Sequence, residues 1–449
     1  MKRCNQKLVW LTCIAVASAA VSTTPAQGQA RPFSGSDVQT IYQRLLGQIN
    51  QIPVFDNHGH PGFPDDSDVD AMTISPDSAL PFRLRENNPE MAGAAKALFG
   101  YPYNDLSPDH LRWLVQRKAE EKKRLGNSYF SHVLDLVGIE TAVANRVAMS
   151  DYLPATRFRW VFFVDSFLFP FDNRQLASRN PDQKLNLPLQ EKILRRNIVR
   201  AHFEQLPADL SGYLSFITRI LEENQKAGGV GIKFEIAYFR SLHFDDPSQQ
   251  RATAIYTKYH AGGVPSAEEY RDFQNFIFRY LLREAGQLHL PVQIHTAVGG
   301  GDYFSLQDGN VLTLENVLRD PRYENVTFIL LHGGFPYERQ AIWLAAKKNV
   351  YLDSSLMGIF LYPDEFKKSL RVWLETFPNK IVFGSDAFPL GDAIGAEENY
   401  WLATQSASVA LTEALAEMVS AGEVNEDQSL HMAHAYLHDT ASNLYGPLH

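Results

Sequence analysis

Short apolar, β-branched runs recur along the chain, and most are separated by stretches whose apolar residues follow helical spacing. The runs fall at residues 54–58, 141–144, 160–165, 230–235, 292–295, 326–331, 350–353 and 381–383. Helical patterns are clearest at 213–225, where Leu214, Ile217, Ile220 and Leu221 form one stripe, and at 270–284, 336–348 and 363–376. Strands that are apolar throughout belong to a sheet covered on both faces, and their alternation with helices makes that sheet parallel. Eight such units are the number that closes a (β/α)8 barrel. The predicted fold is therefore α/β, a distorted (β/α)8 TIM barrel. His295 to His332 spans 37 residues and Asp353 to Asp386 spans 33, each room for one strand–helix–strand step.

Two regions exceed a minimal barrel. Residues 61–127 are rich in Pro, Asp and Asn and then turn helix-like at 91–98 and 108–125. Because they follow the first strand directly, they are expected to fold over the barrel mouth as a cap. Residues 397–444 read as mostly helical and are expected to pack outside. No internal repeat or low-complexity tract divides the chain, so residues 31–449 are expected to form a single domain.

The first 30 residues read as an export signal. Lys2, Arg3 and Lys7 precede an apolar run of 13 residues from Leu8 to Ala20, and Gly28-Gln-Ala30 offers small residues for cleavage. A bilayer span needs about 20 apolar residues, so stable membrane insertion is not expected. Cleavage after Ala30 and a periplasmic or secreted location are expected. Removing 30 of 449 residues leaves 419 and takes with it both cysteines, Cys4 and Cys13. The mature chain is then expected to hold no disulfide and no thiolate-bound metal, leaving nitrogen and oxygen donors. Losing Lys2, Arg3 and Lys7, with no acid in the same stretch, takes the net charge from −9 to −12. That sign argues against a nucleic-acid partner. A small-molecule substrate is expected, and homo-oligomerisation is left open.

The candidate chemistry lies where the strands end. His58 and His60 close the first run, His295 the fifth and His332 follows the sixth, while Asp386 follows the eighth after Gly384-Ser385. Residues two apart on a strand face the same side, so His58 and His60 can converge on one ion, with Gly59 leaving room between them. Imidazole nitrogen suits Zn2+ and similar ions. A carboxylate at Asp386 can bind the metal and accept a proton from water, whose pKa metal coordination lowers toward about 7. Ala387-Phe388-Pro389 is a poor helix start, so a helix-capping role for Asp386 is disfavoured. His295 is expected to be a ligand. His332 is expected to be a ligand for a second ion or to bind substrate, with Gly333-Gly334 leaving open backbone beside it. Lys233, in the fourth strand, has two readings: a neutral amine carbamylated by CO2 and bridging two metals, or a cation paired with Glu235 or a substrate carboxylate. Tyr238 and Arg240, just beyond that strand, are candidates to hold a substrate carboxylate.

These residues resemble the amidohydrolase superfamily, and within it the amidohydrolase-2 branch and its nodulin-type domain, which some fungal and plant proteins fuse to a glutamine-synthetase-like domain. The resemblance lies in Gly231-Ile-Lys-Phe-Glu-Ile-Ala-Tyr-Phe-Arg240, Val292-Gln-Ile-His-Thr296, Leu330-Leu-His-Gly333, Val350-Tyr-Leu-Asp-Ser354 and Ala441-Ser-Asn-Leu-Tyr445. It implies His58, His60 and His295 as ligands, and Asp386 as a ligand or proton acceptor. In binuclear members the positions of His332 and Lys233 also bind metal. The function expected is a metal-dependent hydrolase in which activated water attacks a C–N or ester bond of a small, anionic substrate, using one or two divalent ions, zinc foremost. The alternatives are a metal-dependent decarboxylase of the same branch and a non-catalytic barrel protein.

Overall fold

The computed structural model describes residues 35–446, so the leader expected at 1–30 lies outside the described residues. Eight strands run in chain order around one parallel sheet: β1 Val54–Gly59, β2 Ile139–Arg146, β3 Phe158–Phe163, β4 Gly229–Phe234, β5 Val292–His295, β6 Phe328–Leu331, β7 Val350–Asp353 and β8 Ile381–Val382. All seven neighbouring pairs are parallel. The predicted barrel is the observed one, a distorted (β/α)8 barrel.

Backbone bonds beyond β8 bring the sheet back to β1. Asn57 N donates to Phe383 O at 2.9 Å, Asp386 N to His58 O at 2.8 Å and His60 N to Ala387 O at 2.7 Å. Asp56 reinforces the seam by accepting from Ser385 N at 2.7 Å and Ser385 Oγ at 2.6 Å. Phe55, Val143, Val161, Ile329, Leu331 and Val382 pack together as one buried apolar cluster drawn from five strands. The expectation that the C-terminal part packs outside holds for the long helix Ala396–Ser420, which lies against helices Gly35–Ile49 and Pro363–Thr376. It fails for the last helix, Thr440–Tyr445, whose Ala441 joins the strand cluster and whose Tyr445 ring stacks on Phe55. Contact with these buried strand residues removes Ala441 and part of the Tyr445 ring from water.

The predicted helices at 213–225, 270–284 and 363–376 are observed as Leu210–Lys226, Ala267–Gln287 and Pro363–Thr376. The pattern at 336–348 gives a single α-helical turn, Glu338–Ala341, continued as a 3-10 helix, Ile342–Ala346. No described helix is long and apolar enough to cross a membrane.

Between β1 and β2, helices Pro89–Phe99 and Pro108–Leu125 occupy the two stretches read as helical. The first begins at Asn88, whose side chain accepts from Glu90 N, and stops at Gly100 in left-handed backbone, the conformation glycine adopts without steric cost. Two ionic contacts built on buried cations fasten the segment. Lys118 meets Glu398 at 2.9 Å and Glu397 at 3.3 Å. Arg146, fully buried at the end of β2, reaches Asp66 at 2.6 Å and Pro61 O at 2.5 Å.

Burial raises the Asp66 carboxyl, but Tyr152 OH, Asp68 N and Arg146 together hold it down to about 2. A carboxylate depressed on folding contributes stability above its unfolded value, near 3.9, and loses it as pH falls through the folded value. Asp66→Asn is expected to cost about 2 kcal/mol, the scale of a charged hydrogen bond. In denaturant unfolding the deficit should hold constant above about pH 4 and narrow below it.

Candidate metal centre

The donors sit where each strand leaves the barrel. His58 is the fifth residue of β1, His60 follows its end, His295 closes β5, His332 follows β6 and Asp353 closes β7. Asp386 lies four residues past β8, held by the seam bond from its own N–H to His58 O. It caps no helix; its φ is +54°, and the next helix begins at Ala396. His332 also has a positive φ, +61°. Left-handed backbone is uncommon outside glycine and is held in place by surrounding structure, so both side chains are aimed at some local cost.

His58 Nε2 lies 3.1 Å and His60 Nε2 3.6 Å from Asp386 Oδ1. The two histidine rings stand edge to face with centres 5.0 Å apart. Across from them, His332 Nε2 is 3.0 Å from His295 Nδ1, and the His58 and His332 ring centres are 5.5 Å apart. His58, His60 and Asp386 form a group of three buried donors whose ligand atoms all lie within 4.8 Å of one another. A second group, with Asp70 half-buried, joins His60 to Asp70 and Glu235. His58 Nε2, His60 Nδ1 and His295 Nε2 are buried and have no hydrogen-bond partner. Buried polar atoms are nearly always partnered, and orphaned imidazole nitrogens crowding a carboxylate are the donor set that a divalent ion fits.

The far sides of His58 and His332 face polar partners, and that of His60 faces a carboxylate. His58 Nδ1 faces Gln293 Oε1 at 3.3 Å, and Gln293 Nε2 donates to Asn57 O at 2.8 Å and Tyr445 OH at 2.7 Å. His60 Nδ1 is 3.2 Å from Asp70 Oδ2. His332 Nδ1 lies 3.0 Å from Ser355 Oγ and 3.3 Å from Ser355 O. Asn57 Nδ2 donates to Asp353 at 2.7 Å. Such outer contacts fix which nitrogen is free to bind an ion.

Burial is the largest influence on every histidine here. It pushes His58, His60 and His295 well below the ordinary imidazole range and His332 down to about 3. All four are therefore neutral at pH 7, the form that donates a lone pair. Burial raises the acids: Asp56 to about 8, Asp70 and Asp165 to about 7, Asp353 to about 6 and Glu235 well above its usual range.

The other candidates separate. Lys233 is fully buried, its Nζ makes no hydrogen bond and it lies 3.8 Å from Glu235 Oε1. Tyr238 belongs to the site's wall, with its ring centre 4.6 Å from that of His295. Arg240 does not reach the donors. Its guanidinium donates to Ser241 O at 3.1 Å and His243 O at 2.8 Å and lies over the Phe244 ring. It lines a separate cavity of about 250 Å3 with Phe169, Phe239 and Tyr270. Gly333 and Gly334 do not leave open space either. A Cβ on Gly333 would stand 2.2 Å from Trp373, and one on Gly334 would stand 2.5 Å from Val311. These glycines permit a left-handed turn against packed neighbours.

Asp70, Glu235, Asp165 and Asp353 enter the neighbourhood without having been singled out as site residues. Asp165 and Asp353 ended apolar runs, the same signal that marked the histidines. Asp70 carried none, since only the folded segment after β1 brings it to His60.

Gln293→Leu is expected to lower zinc affinity about 10- to 100-fold with the fold retained, read by competition against a chromogenic chelator. Unchanged affinity would remove Gln293 from the support of His58.

The profile of the amidohydrolase family matches residues 217–446. Protein fluG of Emericella nidulans is 27% identical over 230 residues, a match spanning 48% of this chain and a quarter of that relative's length. Solved structures share the fold. A Lactobacillus casei protein described as a metal-dependent hydrolase aligns with a TM-score of 0.57 at 16% identity, covering 89% of this chain and 97% of its own. The uronate isomerase of Bacillus halodurans aligns at 0.59 and 15% identity, covering 91% and 97%. That of Thermotoga maritima aligns at 0.58 and 12%, also covering 91% and 97%. With the profile covering half of its length, the chain belongs to the amidohydrolase family of divalent-metal enzymes.

Proposed function

We propose that the protein is a hydrolase cleaving a C–N or ester bond of a small molecule, with zinc held by His58, His60 and Asp386. The observation that carries this reading is the buried meeting of His58 Nε2, His60 Nε2 and Asp386 Oδ1. A divalent ion bound there would acidify water and polarise a carbonyl oxygen. The chain's own residues account for the rest. His58 and His60, neutral through burial, donate lone pairs without first losing a proton to solvent.

Asp386 stands at the rim of the donor set, a few per cent exposed where His58 is fully buried, so it can meet substrate as well as ligand. It takes a proton from the attacking water as the water oxygen bonds to the carbonyl carbon. The C–N or C–O bond then breaks, and Asp386 returns the proton to the leaving nitrogen or oxygen. His332 and His295 form the facing wall, placed to hold the water or the carbonyl oxygen. Tyr238, packed on His295, borders the substrate space. With Arg240 bound to backbone carbonyls, Tyr238 alone supports the expectation of an anionic substrate. The leader expected at 1–30 makes action outside the cytoplasm part of the same proposal.

Asp386→Asn is expected to lower kcat for zinc-dependent cleavage of small amides and esters by about 100-fold or more, with circular dichroism unchanged. Full turnover in that variant would exclude Asp386 from the proton transfer. Release of CO2 in place of an amine, alcohol or second acid would turn the reading to decarboxylation.

A further inference from the structure

We infer that Asp70, Glu235 and the second ring nitrogen of His60 form a separate divalent-cation site, on the side of His60 turned away from Asp386. The inference rests on the reading that His58, His60 and Asp386 hold the first ion. His60 Nε2 faces Asp386 Oδ1, whereas Nδ1 faces Asp70 Oδ2 at 3.2 Å. Ligand atoms of His60, Asp70 and Glu235 all lie within 4.8 Å of one another. Glu235 is 3% exposed, and its Oε2, like His60 Nδ1, is buried without a hydrogen-bond partner.

An orienting role for Asp70 alone, accepting a hydrogen bond from His60 Nδ1, accounts for one carboxylate and not for the buried Glu235 carboxyl that Asp70 also meets. Charge points the same way. Asp70, Asp165, Glu235 and Asp386 gather at one end of the barrel. Among the described residues, Lys233 is the one lysine or arginine within 4.0 Å of any of them. Asp165 is already engaged, since both its oxygens accept from Glu235 N at 2.9 Å, which also fixes the start of the Glu235 side chain. Carboxyl groups buried together hold their protons unless cations compensate the charge. Two carboxylates and an imidazole nitrogen suit Zn2+, Mn2+ or Fe2+.

Filling both sites makes His60 a bridge, with one ring nitrogen on each ion and its ring proton released to solvent. Lys233, 3.8 Å from Glu235 Oε1, borders the second ion and does not ligate it. Asp70 comes from the segment after β1 and Glu235 from the end of β4, so the second ion ties that segment to the barrel.

The test is a zinc count on full-length protein, stripped with chelator, titrated with Zn2+ alone and passed through gel filtration. Wild type is expected to retain two equivalents, Glu235→Gln and Asp70→Asn one each, and Lys233→Met two. The two carboxylates lie on separate elements, so if one variant fails to fold by circular dichroism the other decides. Wild-type counts in both carboxylate variants, or an equivalent lost in Lys233→Met, would overturn the site. A wild-type count of one, lost in Asp386→Asn and kept in Glu235→Gln, would overturn it while leaving the hydrolase reading intact. No retained zinc would remove both.

Discussion

The seam between β1 and residues 383–387 is the constraint on which the centre depends. Three backbone bonds and the Asp56–Ser385 contacts bring the last strand back to the first. One of those bonds runs from Asp386 N–H to His58 O, so the link that closes the barrel also places the carboxylate beside the imidazole it must face. Residues 328 positions apart in the chain are thereby fixed to within 3.1 Å. Distant donors can be set that closely only where rigid strands, and no long loops, carry them.

Burial does the second part of the work. Apolar packing beneath the site, with Phe55, Val161, Ile329 and Leu331 among its members, keeps water from the strands. The same exclusion keeps the four histidines neutral and raises the surrounding acids. Tyr445, from the last helix, donates to Asn57 Oδ1 at 2.8 Å and accepts from Gln293, so the C-terminus props His58 through one intermediate side chain. Stability and ligand geometry thus share the same contacts.

Most of the barrel was legible in the chain because strands buried on both faces leave unbroken apolar runs. Those at 292–295 and 350–353 match β5 and β7 at both ends. The donors were legible for a related reason, since a polar residue ending such a run has few places to go except the rim. Legibility failed where tertiary contacts decide. Arg240 follows β4 closely enough to have been drawn toward the substrate, yet carbonyls of the next turn claim its guanidinium. Gly333 and Gly334 suggested space, whereas Trp373 and Val311, distant in sequence, fill it. Asp70 had no local pattern at all, because its position depends on how Arg146 anchors Asp66 and the chain around it. The last helix lines the barrel because Ala441 and Tyr445 meet a surface that no neighbouring sequence describes.

The central claim is that His58, His60 and Asp386 grip one ion. It is tested most directly by diffraction from zinc-loaded crystals collected on either side of the zinc absorption edge. The account predicts an anomalous peak bonded to both imidazoles and the carboxylate, at about 2.0–2.2 Å from each donor. A peak elsewhere, or none at these three side chains under saturating zinc, would contradict it.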